Sequence, residues 1–237
     1  MTDGRPISES TAFLEYLAAW KSGLPVLAID QAIPDPARGA VLSVDVINGF
    51  CYEGALSSPR VARIVAPITR LFSDAWAYGV RNIVLAQDTH EPAAVEFGQW
   101  PPHCVRGSQE SEAVPEFKAL PFYDQMQIIP KNSINAALHT GLPGWLAAHP
   151  EIDDFIVVGD CTDLCTYQLA MFLRLDSNAS QVKRRVIVPE DCVDTYDMPV
   201  DQAIEIGAMP HPAEFLHAVF LYHMALNGVE VVRAIAR

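Results

Sequence analysis

A chain of 237 residues, half of them hydrophobic, can fill the core of one α/β domain, and two small domains are the weaker reading. The formal net charge of -13 provides no basic stripe to displace counterions from a phosphate backbone, which sets nucleic acid aside as a partner. No apolar run is long enough to span a bilayer, and the opening MTDGRPISES lacks the basic start and apolar stretch of a secretory signal. Five cysteines, an odd number, then point to reduced thiols in a cytoplasmic setting.

The first expected element is an amphipathic helix over Ser8 to Trp20, with Phe13, Leu14 and Leu17 turned toward the body. The Pro-rich stretch Ile33 to Pro36 reads as a lead-in to the rest of the chain. Apolar, β-branched runs then predict strands at Val41 to Val46, Arg81 to Ala86, Met126 to Pro130, Phe155 to Gly159, Arg185 to Pro189 and Val229 to Arg233. Helical spacing appears between several of them, at Arg60 to Tyr78, Asp163 to Leu175 and Pro212 to Leu226. Strands alternating with helices imply a mostly parallel, six-stranded sheet covered on both faces, a three-layer α/β/α fold that is doubly wound if its strand order reverses. Residues 1–40 stand as a helical extension and 41–237 as the main domain. The stretch from Asp88 to Gln125 has no repeating pattern and contains Pro92, Pro101, Pro102 and Pro115 among its prolines; its Trp, His and Cys content favours a functional loop.

Reactive side chains gather where the strands end. Asp45 lies at the end of the first strand, while Asp88 and His90 follow the second, Lys131 the third, and Cys161 and Cys165 the fourth. All lie at the carboxyl edge, where open α/β sheets bind ligands. If the strand order reverses between the first and fourth strands, Asp45 and Cys165 flank the crevice at the reversal. A helix beginning around Thr162 or Asp163 would place Cys165 near its positive end, which favours a thiolate. Asp45 could then accept the thiol proton and Lys131 stabilise the charged pair. Taken singly, these residues have plainer readings: Asp45 as a loop or helix-cap acid, Lys131 as a solvated lysine. Cys51, Cys104 and Cys192 read as small buried apolar side chains, and a disulfide or zinc role for Cys161 with Cys165 ranks low. In QDTHEPAAVEFGQWPPHC, Asp88 and His90 alternate along extended chain, and Glu96 and His103 return on the loop that follows. Oxygen and imidazole donors together suit one divalent metal ion such as zinc, iron or manganese, with a Pro-rich loop of hydrogen-bonded histidines as the alternative.

Taken in order, VLSVDVINGF, QDTHEP, EFGQWPPHCVRGS, IIPKNS and VVGDCTDLCTYQLA resemble the isochorismatase-like cysteine hydrolases, and within them the nicotinamidases, over Val41 to Pro189. The resemblance implies a catalytic triad of Asp45, Lys131 and Cys165, and metal ligands Asp88, His90 and His103 with Glu96 at a variable fourth position. It further implies aromatic substrate walls at Phe50 and Trp100, a cis peptide before Cys161, and an oxyanion hole built from the backbone N–H groups of Cys161 and Cys165. The implied activity is conversion of a small amide, nicotinamide, to nicotinate and ammonia through a thioester, as in NAD salvage, with zinc the first choice of metal. Alternatives are a metal-independent relative acting on another amide, ureido or vinyl-ether substrate, and a catalytically silent binding protein of the same fold. A homo-oligomer is left open. The chain departs from the family pattern at Ile47 and Gly49, where polar residues are usual, at Leu164 before the nucleophile, and in the long segment Asp197 to Leu226.

Overall fold

The computed structural model describes residues 10–237. Its central sheet runs in the order β4-β3-β2-β5-β6-β8 and every pairing in it is parallel. The strands are β2 (Gly39–Val44), β3 (Asn82–Asp88), β4 (Gln127–Lys131), β5 (Asp154–Asp160), β6 (Arg185–Pro189) and β8 (Glu230–Val232). These are the six expected strands, and the direction of winding reverses between β2 and β5, the first and fourth of them.

All six residues of β2 are buried, as a parallel strand covered on both faces requires. Alternation divides them between two cores. Val41 joins a cluster with Ile83, Leu85, Ile156 and Val158, while Ala40, Leu42 and Val44 join one with Val84, Ala86, Phe155 and Val157. The first cluster is sealed by α2 (Val65–Tyr78), whose Ile68, Leu71, Phe72 and Ala75 form one buried stripe. The second is sealed by α3 (Leu142–Ala148), α4 (Cys165–Ser180) and α6 (Ala213–Leu226), through Leu142, Leu146, Leu169, Leu173, Leu221 and Met224.

Near its carboxyl end β5 approaches β2 so closely that a Cβ on Gly159 would fall 2.0 Å from the Val44 carbonyl oxygen, and the residue sits at φ 125°. Only glycine satisfies both conditions. The helix expected over Arg60 to Tyr78 is divided into a short turn, Pro59–Ala62, and α2. Pro67 is the cause, because it has no N–H to donate to the Arg63 carbonyl and its ring crowds that carbonyl.

The N-terminal helix α1 (Thr11–Ser22) forms, and the Ser8 and Glu9 part of the expectation lies outside the described residues. Its orientation corrects the sequence reading. Leu17 is buried, but Phe13 and Leu14 are 41% and 42% exposed. Instead of inserting into a core, Phe13, Tyr16 and Trp20 gather edge-on around Tyr222 of α6, at 5.4, 5.9 and 5.3 Å between centroids. The lead-in that follows is equally well anchored: Ile29, Ala32 and Ile33 belong to the first core, and β1 (Val26–Ala28) pairs in parallel with β9 (Ala234–Ala236). Three-residue strands are too short for periodicity to reveal. β7 (Val193–Asp194) takes over from β6 beside the last residues of β5, pairing Gly159 with Val193 and Asp160 with Asp194. Beyond it, α5 (Val200–Ile206) sits inside a loop closed by an antiparallel bridge between Met198 and His211. Among the described residues, no helix is long and apolar enough to cross a membrane.

Candidate active site

The reversal between β2 and β5 opens a crevice at the carboxyl edge, and the polar strand ends meet there. Asp45, just past β2, has φ 58°, a left-handed conformation that turns its side chain back over the sheet edge. Its Oδ1 accepts the backbone N–H of Asp88 at 2.8 Å, which ties the ends of β2 and β3 together. Asp88 and Lys131 are register partners on β3 and β4. Lys131, 1% exposed, places its ammonium 2.7 Å from Asp45 Oδ2, 2.6 Å from Asp88 Oδ1 and 3.6 Å from Cys165 Sγ, and donates to the Ser133 carbonyl at 3.1 Å. The thiol sulfur and one carboxylate oxygen each from Asp45 and Asp88 lie within 4.8 Å of one another. Acid, amine and thiol therefore come together from three distant parts of the chain.

Burial dominates the electrostatics. It pushes the Asp45 carboxyl up toward neutrality, with the Asp88 charge adding to the effect and Lys131 opposing it. Asp88 is lowered, because Lys131 and His90 outweigh the same burial. For Cys165 burial pushes the thiol well up, against the pull of Lys131, and the two carboxylates add to the rise. The helix does begin at Cys165, two or three residues later than expected, but desolvation beside two acids outweighs its favourable end. Burial thus favours the neutral thiol beside the Asp45 carboxyl.

The turn bearing Cys165 has its own scaffold. The Asp160–Cys161 peptide is cis, as the resemblance implied. The N–H groups of Leu164 and Thr166 both close on the Cys161 carbonyl at 3.1 Å. The N–H groups of Cys161 and Cys165 are left with no backbone acceptor among the described residues, so both are free to hold a developing oxyanion. Asp160 is 2% exposed with one oxygen unpartnered, and burial raises it toward its neutral form. Two histidines from the C-terminal part of the chain pin the turn. Thr162 Oγ1 is 2.8 Å from His217 Nδ1, and Asp163 Oδ2 is 2.7 Å from His211 Nε2. Sequence reasoning missed both, because a lone histidine in a helix or loop carries no spacing signal. They also give a structural task to the segment that is long for the family.

On the β3 side, ligand atoms of Asp88, His90 and His103 lie within 4.8 Å of one another. His90 Nδ1 is 2.9 Å from Asn132 Oδ1 and His103 Nδ1 is 2.8 Å from the Pro101 carbonyl, so each ring donates from Nδ1 and offers Nε2. His90 Nε2 is buried with no hydrogen-bond partner. Two available imidazole nitrogens and a carboxylate, one nitrogen otherwise orphaned, fit a divalent cation. Glu96 is outside this three-residue group; it sits in a 3-10 turn, close enough to His90 for its charge to act on that ring. Asn132 was also overlooked, although its place directly after Lys131 was a usable signal.

Phe50 packs on His103 at 5.7 Å between centroids and is only 9% exposed, so it belongs partly to the core. Trp100 is half-buried and meets Tyr196 edge-on at 6.2 Å. The two departures near Asp45 are packing features. Ile47 is fully buried and bridges Ala113, and a Cβ on Gly49 would fall 2.6 Å from the Cys104 sulfur. The loop that carries His103 therefore presses directly on this glycine. Cys51, Cys104 and Cys192 are buried as expected, and all five cysteines are free thiols. A separate surface cavity of about 400 Å³, lined in part by Gln127, His139 and Trp145, shares no residue with this site.

A doubly wound α/β sheet that presents a buried thiol, carboxylate and ammonium at its switch point defines a cysteine hydrolase. Residues 39–232 match the Isochorismatase domain, and the chain belongs to that family of hydrolases. It is 31% identical over 223 residues to Nicotinamidase 1 of Arabidopsis thaliana, covering 85% of this chain and 88% of that protein. It is 29% identical over 194 residues to the nicotinamidase of Escherichia coli, covering 69% and 87%. Among solved structures, the pyrazinamidase of Pyrococcus horikoshii in complex with zinc superposes with a TM-score of 0.64 at 21% identity, covering 83% of this chain and 99% of that one.

Proposed function

We propose that this chain is a nicotinamidase, hydrolysing nicotinamide to nicotinate and ammonia in the cytoplasm with Asp45, Lys131 and Cys165 as its catalytic groups. The observation that carries the reading is the sharing of Asp88 between two clusters: one of its oxygens meets Lys131 at 2.6 Å, and it also groups with His90 and His103. A cation site thus adjoins the thiol, and an aromatic amide with a ring nitrogen matches both at once. The relatives called nicotinamidases support the same substrate. Zinc, the ion in the Pyrococcus horikoshii structure, is the proposed metal.

The chemistry of this chain's own residues follows from the distances. Asp45 takes the Cys165 proton, and Lys131, 3.6 Å from the sulfur, holds the thiolate as it forms. The sulfur attacks the amide carbon while the N–H groups of Cys161 and Cys165 receive the negative oxygen. As the C–N bond breaks, Asp45 returns the proton to the leaving nitrogen and ammonia departs. Water, deprotonated by Asp45, then cleaves the thioester and restores the thiol. Bound through Asp88, His90 and His103, with Glu96 nearby, a divalent cation would supply a Lewis-acid position for the pyridine nitrogen. Phe50 and Trp100 would pack the ring.

Ammonia release from nicotinamide by purified protein tests the reading, with metal content measured on the same sample. Activity that disappears in Cys165→Ala is the expected result. Absence of activity in the metal-loaded wild-type protein, or its survival in Cys165→Ala, would overturn it.

A further inference from the structure

The stretch between β7 and α6 has no task in the reaction just described, yet it reaches both sides of the crevice. Tyr196 lies flat on His211, with ring centroids 3.8 Å apart and planes inclined by 14°. His211 is fixed at both ring nitrogens: Nδ1 donates to the Tyr196 carbonyl at 2.8 Å, and Nε2 lies 2.7 Å from Asp163 Oδ2. Although burial opposes the charge on each partner, their mutual contact wins, lowering Asp163 and raising His211. The other ring contact of Tyr196 is with Trp100, at 6.2 Å between centroids and 87° between planes. The Tyr196 hydroxyl has no hydrogen-bond partner among the described residues, so ring packing holds this side chain.

A continuous path of side chains therefore crosses the mouth of the site. It starts at Asp163 in the nucleophile turn, passes through His211 and Tyr196, and ends at Trp100 on the loop between Glu96 and His103. Resting on the nicotinamidase reading, we propose that Tyr196 is a positioning residue for the substrate ring: clamped by the Asp163–His211 pair, it fixes Trp100 as the wall against which the ring packs. An unclamped indole would sample several rotamers, and the substrate would have to order it on binding. The cost would appear in binding, because Tyr196 acts through Trp100 and not on the scissile bond.

Steady-state kinetics with nicotinamide separates this role from a structural one. Tyr196→Ala is expected to raise KM about three- to tenfold with little change in kcat, the size of effect that loss of one edge-on ring contact brings. Tyr196→Phe keeps the ring and restores the wild-type KM. His211→Gln raises KM in the same direction, and combining it with Tyr196→Ala adds little, since both act along one path. A fall in kcat at unchanged KM, or a Phe variant as impaired as Ala, overturns the proposal. Tyr196→Leu, which keeps bulk without the ring, replaces the Ala variant if that one does not fold. Acrylamide quenching of Trp100, obtained by difference from Trp100→Phe versions of each protein, decides the clamp independently of the substrate. Quenching should rise in Tyr196→Ala, and unchanged quenching refutes the clamp even if the wild-type protein releases no ammonia from nicotinamide and the functional reading itself fails.

Discussion

The two banks of the crevice are built differently. On the β2–β3–β4 bank the functional side chains stand on adjacent strand ends, and parallel register brings them together: Asp88 opposes Lys131, and the Asp88 N–H binds Asp45. On the β5–α4 bank the thiol sits on an irregular turn with a cis peptide, held by side chains nearly fifty residues or more downstream. A sheet edge holds its geometry through backbone pairing that many residues share. A turn of this kind depends on a few specific contacts, so single substitutions should loosen it locally without dismantling the fold.

The largest effect is expected where the first bank is charged and dry. Lys131→Met leaves Asp45 and Asp88 facing each other without their shared cation, and should lower stability by about 3 kcal/mol and abolish turnover. Urea denaturation together with ammonia release measures both. Next in size, His90→Ala removes one of the two proposed imidazole ligands. It should lose bound metal by elemental analysis and raise KM about tenfold or more, with the fold intact by circular dichroism. Full metal content and unchanged kinetics would remove His90 from the site.

On the second bank, His217→Ala leaves Thr162 buried without its 2.8 Å partner and should cost about 1–2 kcal/mol. If the turn is the looser bank, kcat falls by more than this stability loss accounts for. Equal behaviour of His217→Ala and a substitution far from the turn would erase the distinction between banks. The smallest effect concerns Glu190, which lies 3.6 Å from His217 Nε2 and 3.2 Å from Lys21 Nζ. The His217 contact chiefly lowers its pKa from 4.5 to about 2, with Lys21 assisting and burial opposing. A depressed carboxylate adds stability that is complete above pH 4.5 and is lost as pH falls toward 2. Glu190→Gln should therefore flatten the acid side of the stability profile between those values and leave neutral-pH chemistry nearly untouched. An acid limb identical to wild type would show that the ion pair carries no such linkage.

Much of this arrangement was legible from local pattern. The six strands, their alternation with helices and the motifs at their ends follow from hydrophobic period and from short sequences around Asp45, Asp88, Lys131 and Cys165. Asp88 and His90 could be placed on one side because extended chain alternates with period two. The exposure of Phe13 and Leu14 was not legible, since an amphipathic stripe does not say which neighbour it meets. Tyr222, more than two hundred residues away, decides that.

Residue order alone was enough to establish a mostly parallel α/β sheet and a carboxyl edge lined with a thiol, an acid, an amine and imidazoles, because each depends on neighbours a few positions apart; the reversal between β2 and β5 was a conditional expectation that the fold supplied. The burial that raises the Cys165 thiol, the separation of Glu96 from the three-residue cluster, and the grip of His211 and His217 on the turn before Cys165 emerged only once the chain was folded. Burial and contacts between distant segments govern these features, and both are properties of the packed molecule.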